Sequence, residues 1–192
     1  MGDGNYIHKK IEKAAVFIDG GYLSRILKKY FNKPEIDYLK LCNLICEKIQ
    51  VRRLRTYFYH CKPIVRKGNK EDEKKDNSMQ KFLTKLKRLP RFEVSLGRLQ
   101  YINGVFKQKM VDVLMSLDIV DMCFENQIQH AILIAGDSDF VPAIKRAKDD
   151  GAIIHLFYHP ESIHTEMLDI VDELHPITEE LIENCKISNQ NT

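Results

Sequence analysis

The chain has 192 residues, a length for one domain with a sizeable core, and its 44% apolar and 30% charged side chains exclude collagen-like, low-complexity and largely disordered classes. Its net charge of +3 conceals two opposed regions: residues 51–109 carry 17 basic and 5 acidic side chains, and residues 110–192 carry 4 basic and 16 acidic. A net of +12 against −12 points to a polyanionic partner.

Residues 1–13 read as an N-terminal extension with no apolar h-region, so no secretory leader is expected. Tyr6 breaks the myristoylation pattern that Gly2 opens. AAVFID (14–19) is a continuous apolar run closing on an acid, as a buried parallel strand would. Gly20-Gly21 turn the chain into a helix whose face is Tyr22, Leu23, Ile26, Leu27, Tyr30 and Phe31. A second helix is expected over 37–49, capped by Asp37, with Leu41, Leu44, Ile45 and Ile49 on one face.

VRRLRTYFYH (51–60) has strand propensity. The charge-dense stretch 61–76 has no apolar period and reads as a long mobile loop. A helix follows over 77–89, with Asn77 or Ser78 as its cap and Met79, Phe82, Leu83 and Leu86 on one face. Residues 92–109 read as extended segments around an Asn103-Gly104 turn, a strong hairpin signal. Then come a long apolar helix (110–126), a buried strand (130–136), a helix over 139–150 stopped by Gly151, and a third buried strand (152–159). Short helices near 162–170 and 178–185 precede a polar tail, 186–192.

Strands alternating with helices specify an α/β fold with a mainly parallel sheet and helices on both faces. The apolar runs fall far short of the roughly 20 residues that cross a bilayer, so no membrane partner is expected. Cys42, Cys46, Cys61, Cys123 and Cys185 are scattered without a CxxC pair, and His60-Cys61 stands alone, so a structural zinc site is not expected. Buried thiols in a reducing cytoplasm fit best.

Parallel sheets place their sites at the carboxyl ends of the strands, which directs attention to Asp19, Asp137 and Asp139. Asp112 opens the helix before the second of these strands among apolar neighbours. Carboxylates held close repel one another, and a hard divalent cation, Mg2+ or Mn2+, relieves that repulsion. Such a metal can activate water and offset charge on a phosphoryl group. Simpler roles stand beside this one: Asp19 as a turn residue, Asp112 as an acid at a helix N-terminus, and Asp139 or Ser138 as a cap. Asp118 lies about 120° around the helix from Asp112 and is a poorer ligand. His155 reads as a core histidine, and His159 as a residue that reaches the site edge at most.

VFIDGGYL (16–23), QKMVDVLMSLDIVDMC (108–123) and AILIAGDSDFVPAIKRAKDDGAIIHLF (131–157) resemble the three blocks of the NYN domain, in its LabA-like branch, within the PIN-like nuclease superfamily. The resemblance implies a Rossmann-like three-layer α/β/α sandwich over 14–185, with 61–107 as a basic insertion carrying a hairpin. It also implies ribonuclease activity with Mg2+ or Mn2+, and it places the family's acids on Asp19, Asp112, Asp137 and Asp139, with a further acid at Asp118. Many relatives carry an Asn shortly after the first acid, where this chain has Gly20-Gly21-Tyr22.

The resulting expectation is a metal-dependent endoribonuclease acting on single-stranded RNA. The alternative is a non-catalytic RNA-binding module that keeps the fold. Ser138, Arg53, Arg55, Lys67 and Lys109 are the candidate RNA contacts, and Tyr57, Phe58, Tyr59 and Tyr101 are candidate stacking residues if exposed. The oppositely charged halves also suit head-to-tail pairing into a homo-oligomer.

Overall fold

The computed structural model describes residues 11–62, 65, 66, 68–102 and 105–187, and within 98–102 and 105–109 the backbone alone. Lys67 and the Asn103-Gly104 turn lie outside the described residues, as do the side chains of Tyr101 and Lys109.

One sheet of seven strands organises the chain, in the order β4-β3-β2-β1-β5-β6-β7. The strands are β1 (Lys13–Asp19), β2 (Arg52–Cys61), β3 (Phe92–Ile102), β4 (Val105–Lys109), β5 (His130–Ile134), β6 (Ile153–Tyr158) and β7 (Glu173–Pro176). Every pairing is parallel except β3 with β4, the antiparallel hairpin. The centre of the sheet is β1 and β5, whose apolar runs are buried on both faces, which explains their lack of polar alternation.

Helices cover both faces. The helices α1 (Gly20–Tyr30), α2 (Tyr38–Lys48), α3 (Lys70–Lys87) and α7 (Glu179–Cys185) enclose one core, built on Ile18, Leu23, Ile45, Leu83 and Ile182 among others. The other core, around Phe17, Met115, Leu133 and Ile144, lies under α4 (Val111–Phe124), α5 (Val141–Asp149) and α6 (Thr165–Ile170). This is the three-layer α/β/α sandwich. All five cysteines are buried. Among the described residues no helix is long and apolar enough to cross a membrane.

Several local expectations meet their physical cause here. Asp37 caps α2 by accepting from Lys40 N at 3.0 Å, and Gly151, at φ +89°, takes the left-handed position just past α5. The expected loop over 61–76 is corrected: α3 begins at Lys70, capped by Asn69, not by Asn77 or Ser78. Glu71, Asp72 and Glu73 occupy its first turn, where acids are favoured, and Arg66 grips both oxygens of Asp72 at 2.7 and 3.1 Å. Charge density there signals a solvated helix of strong helix formers, not a loop. The short edge strand β7 was not anticipated.

Candidate active site

Without the antiparallel β4, the parallel strands run third-second-first-fourth-fifth-sixth, so the order reverses between β1 and β5. A crevice opens at such a switch point, beyond the carboxyl ends of the strands. Asp19 ends β1, Asp137 follows β5, and Asp139 lies in a 3-10 turn over Ser138–Phe140. Asp112 enters from the first turn of α4, which a left-handed Met110 at φ 77° starts beside the crevice.

Asp19 caps α1: its Oδ1 accepts from Gly21 N at 2.9 Å and from Tyr22 N at 3.0 Å. Burial raises its carboxyl above the ordinary range, against the pull of those two N–H groups and of the charges on Arg25 and His60. The Asp112 carboxyl is raised too, first by burial and then by the charges of Asp19, Asp137 and Asp139. All four predicted acids therefore share one electrostatic neighbourhood. Asp137, rather than Asp139 or Ser138, does the capping, its Oδ1 accepting from Asp139 N at 3.2 Å.

Two glycines let the walls of the crevice close. A Cβ on Gly20 would lie 2.4 Å from the Phe58 ring, and one on Gly136 would lie 2.3 Å from the Tyr22 ring. Tyr22 is buried and bridges the two strand ends, its ring on Gly136 and its hydroxyl accepting from His159 N at 2.9 Å. It thus acts as a clamp on the crevice wall. The His159 ring is occupied by Tyr30, on which it stacks at 3.7 Å.

Asp118 accepts from the buried Tyr59 hydroxyl at 2.6 Å, a link from α4 to β2. Phe58 and Tyr59 are core residues, which corrects their reading as base-stacking surfaces; Tyr57 is half-buried against Phe17. Arg53 is corrected as well: it is 8% exposed and donates to Asn43 Oδ1, Thr56 Oγ1, Arg91 O and Pro90 O, so most of its guanidinium is committed inside the protein. Arg55 is exposed and pairs with Glu93. Ser138 is half-buried between the two acids.

His60, at the end of β2, was not singled out by the sequence pattern. Its Nδ1 is buried without a partner, and the ring forms part of a cleft of about 880 Å³. Ser24, Tyr38, Lys74, Lys75 and Ser78 also line that cleft. Register pairs Asp19 with Tyr59, the residue before His60, so this end of the cleft lies near Asp19.

Four like charges drawn from three elements fit a hard cation better than any internal partner. Among the described residues, the trio whose donor atoms all lie within 4.8 Å of one another is His155, Glu173 and His175, not a set of aspartates.

The chain matches the NYN domain over residues 13–179. It is 34% identical over 64 residues to y4oD of Sinorhizobium fredii, described as uncharacterized; the match covers 33% of this chain and 30% of that protein, so the chain spans under a third of that relative's length. Its fold is similar to the crystal structure of a protein of unknown function from Vibrio parahaemolyticus, with a TM-score of 0.63 and 18% identity, covering 93% of this chain and 98% of the other.

Proposed function

The chain belongs to the NYN domain family, a family of PIN-like nuclease domains, and on that premise we propose that it is a metal-dependent endoribonuclease. The observation that supports the reading is the grouping of Asp19, Asp112, Asp137 and Asp139 at the switch point, where burial first, and then the charges of the other three, raise the Asp112 carboxyl. These four residues would hold Mg2+ or Mn2+. When bound, the cation supplies activation of a water and charge compensation on the phosphoryl group.

The chain's own residues perform the rest. One oxygen of Asp19 is held by the α1 cap, which aims the other at the crevice. The bond from Asp139 N sets the orientation of Asp137 in the same way. Ser138 stands between them to donate to a phosphate oxygen. Lys74 and Lys75 line the cleft that begins at His60 and offer cations to the backbone of an incoming strand. Water attacks phosphorus in line, the bond to the 3′ oxygen breaks, and that oxygen takes a proton, leaving 5′-phosphate and 3′-hydroxyl ends.

The test is digestion of labelled RNA and single-stranded DNA with manganese, comparing wild type with Asp137→Asn. Cleavage of RNA by wild type and its loss in the variant, with RNA affinity retained, is the expected result. Equal hydrolysis by the variant, prepared free of host nucleases, sinks the assignment.

A further inference from the structure

At the other end of the sheet a second cluster of donors has the geometry of a metal site. His155 lies on β6 directly across from Glu173 on β7, and His175 is two residues further along β7, on the same face. His155 Nδ1 is 3.3 Å from His175 Nε2 and 3.3 Å from Glu173 Oε2, and the latter two atoms are 3.5 Å apart. Zinc bonds of about 2.0–2.1 Å at tetrahedral angles put neighbouring donors about 3.3–3.4 Å from each other. The triangle therefore has the size of a tetrahedral face.

The surroundings orient the rings as ligand shells do. His155 is 2% exposed, and its Nε2 lies 2.9 Å from His130 Nδ1. The other nitrogen of His130 lies 2.8 Å from Glu12 Oε2. A carboxylate only accepts, so with both rings neutral His130 donates to Glu12, and His155 Nε2–H donates to His130. That assignment turns a lone pair of His155 Nδ1 toward Glu173, an acceptor facing an acceptor at 3.3 Å. One proton on His175 Nε2 can bridge to only one of them, whereas a cation at the centre of the triangle satisfies all three. The His175 ring is held by stacking on Phe157, at 4.6 Å and 15°.

We propose that His155, His175 and Glu173 form a binding site for a divalent ion of the zinc class, separate from the aspartates, that ties the edge strand β7 to β6. Two imidazoles and one carboxylate suit zinc and disfavour magnesium. The fourth coordination position faces solvent on the side of Glu173, whose side chain is 54% exposed. Register places His155 beside Ile132, five residues before Asp137, about 16 Å along the strand direction from that acid at about 3.3 Å per strand residue. The ion holds in place a four-residue edge strand that otherwise pairs with one neighbour only. The relay to Glu12 extends this hold to the segment entering β1.

The experiment is zinc uptake by the tag-free full chain, measured by competition with a chromophoric chelator, alongside Co2+ absorption in the visible. Wild type is expected to take up about one zinc with Kd below about 1 μM and to give intense tetrahedral cobalt bands. Glu173→Gln, on the solvent side and neutral to folding, weakens binding at least about tenfold. His175→Ala weakens it further, and Glu12→Gln weakens it by about 10–100-fold through the relay. Asp137→Asn binds as wild type does. Absence of zinc binding by wild type, undiminished binding by both Glu173→Gln and His175→Ala, or loss of binding in Asp137→Asn overturns the proposal.

Discussion

Replacing Asp112 by Asn should stabilise the metal-free protein and abolish the extra stability that magnesium confers. Unit charges roughly 6–8 Å apart repel by about 0.5–0.7 kcal/mol at the dielectric constant of water, and by about 2–3 kcal/mol at an effective value of 20. Asp112 is half-exposed, so solvent screening favours the lower end, and its three charged neighbours together contribute about 1.5–2 kcal/mol. Against this, neutralising an acid in the first turn of α4 forfeits about 0.3–1 kcal/mol of helix-dipole interaction. The net expectation is a gain of about 1 kcal/mol, or about 2–4 °C in Tm for a chain of this size. Magnesium at a hundred times its Kd adds about 2.7 kcal/mol to wild type and little to the variant. Thermal unfolding in EDTA and then across a magnesium titration should therefore show the order of stabilities crossing over. The pH dependence has a definite sign: the folded-state carboxyls of Asp19 and Asp112 are raised, so their ionised forms disfavour the fold. The cluster's contribution to metal-free stability thus improves as pH falls through the folded values toward the unfolded one, while magnesium affinity declines over the same window. An Asp112→Asn variant that is less stable than wild type in EDTA, or that gains as much from magnesium, refutes this reasoning.

Substitutions at Tyr59, Asp118 and Gly136 probe the surroundings of the acid cluster, and one at Arg53 probes the buried guanidinium. Tyr59→Phe removes a bond to a charged acceptor and should cost about 1.5–3 kcal/mol in urea unfolding, whereas Asp118→Asn should keep cleavage within about tenfold of wild type; a loss of activity as complete as in Asp137→Asn would place Asp118 among the ligands. Gly136→Ala drives a methyl into the Tyr22 ring and toward Ser162 O, 2.9 Å away, and should destabilise by about 1–3 kcal/mol; a neutral result would mean that the clamp is loose. Arg53→Met should cost about 2–3 kcal/mol, because it strands carbonyl acceptors, yet leave the salt dependence of RNA affinity unchanged. A shallower salt slope would return Arg53 to the RNA surface.

The acids were legible in the sequence because each ends or opens an element whose apolar period is strong. AAVFID and HAILIAGD announce buried strands, and a carboxylate at the end of such a run stands at the carboxyl edge of the sheet, where it can cap the next helix and also face the crevice. Arg53 misled because a basic residue between apolar ones on a strand looks the same whether it faces solvent or an interior lined with carbonyls. The start of α3 was hidden because its first nine residues have no apolar partner, so periodicity was silent while capping and propensity were not. The His155–Glu173–His175 cluster could not be read at all. His155 and His175 are 20 residues apart, β7 has only four residues, and the register of a parallel pair is set by packing.

Strand order converts the charge imbalance of the chain into a spatial one. The basic region supplies β2, α3 and β3 on one side of β1, and the acidic region supplies α4 onward, with β5, β6 and β7 on the other. The boundary between the two runs along the β1–β5 seam, where Asp19 and Asp137 stand. A polyanion is attracted to the basic flank and repelled by the acidic one, so electrostatics alone brings it up to the seam and stops it there. The acids at the seam would repel that backbone unless a cation neutralises them, so on the proposed function the same charge distribution that attracts the substrate would make its final approach depend on metal. Binding and cleavage should accordingly respond to salt and to metal in different ways: monovalent salt weakens capture on the flank, while removal of the divalent ion blocks entry to the seam and leaves capture intact.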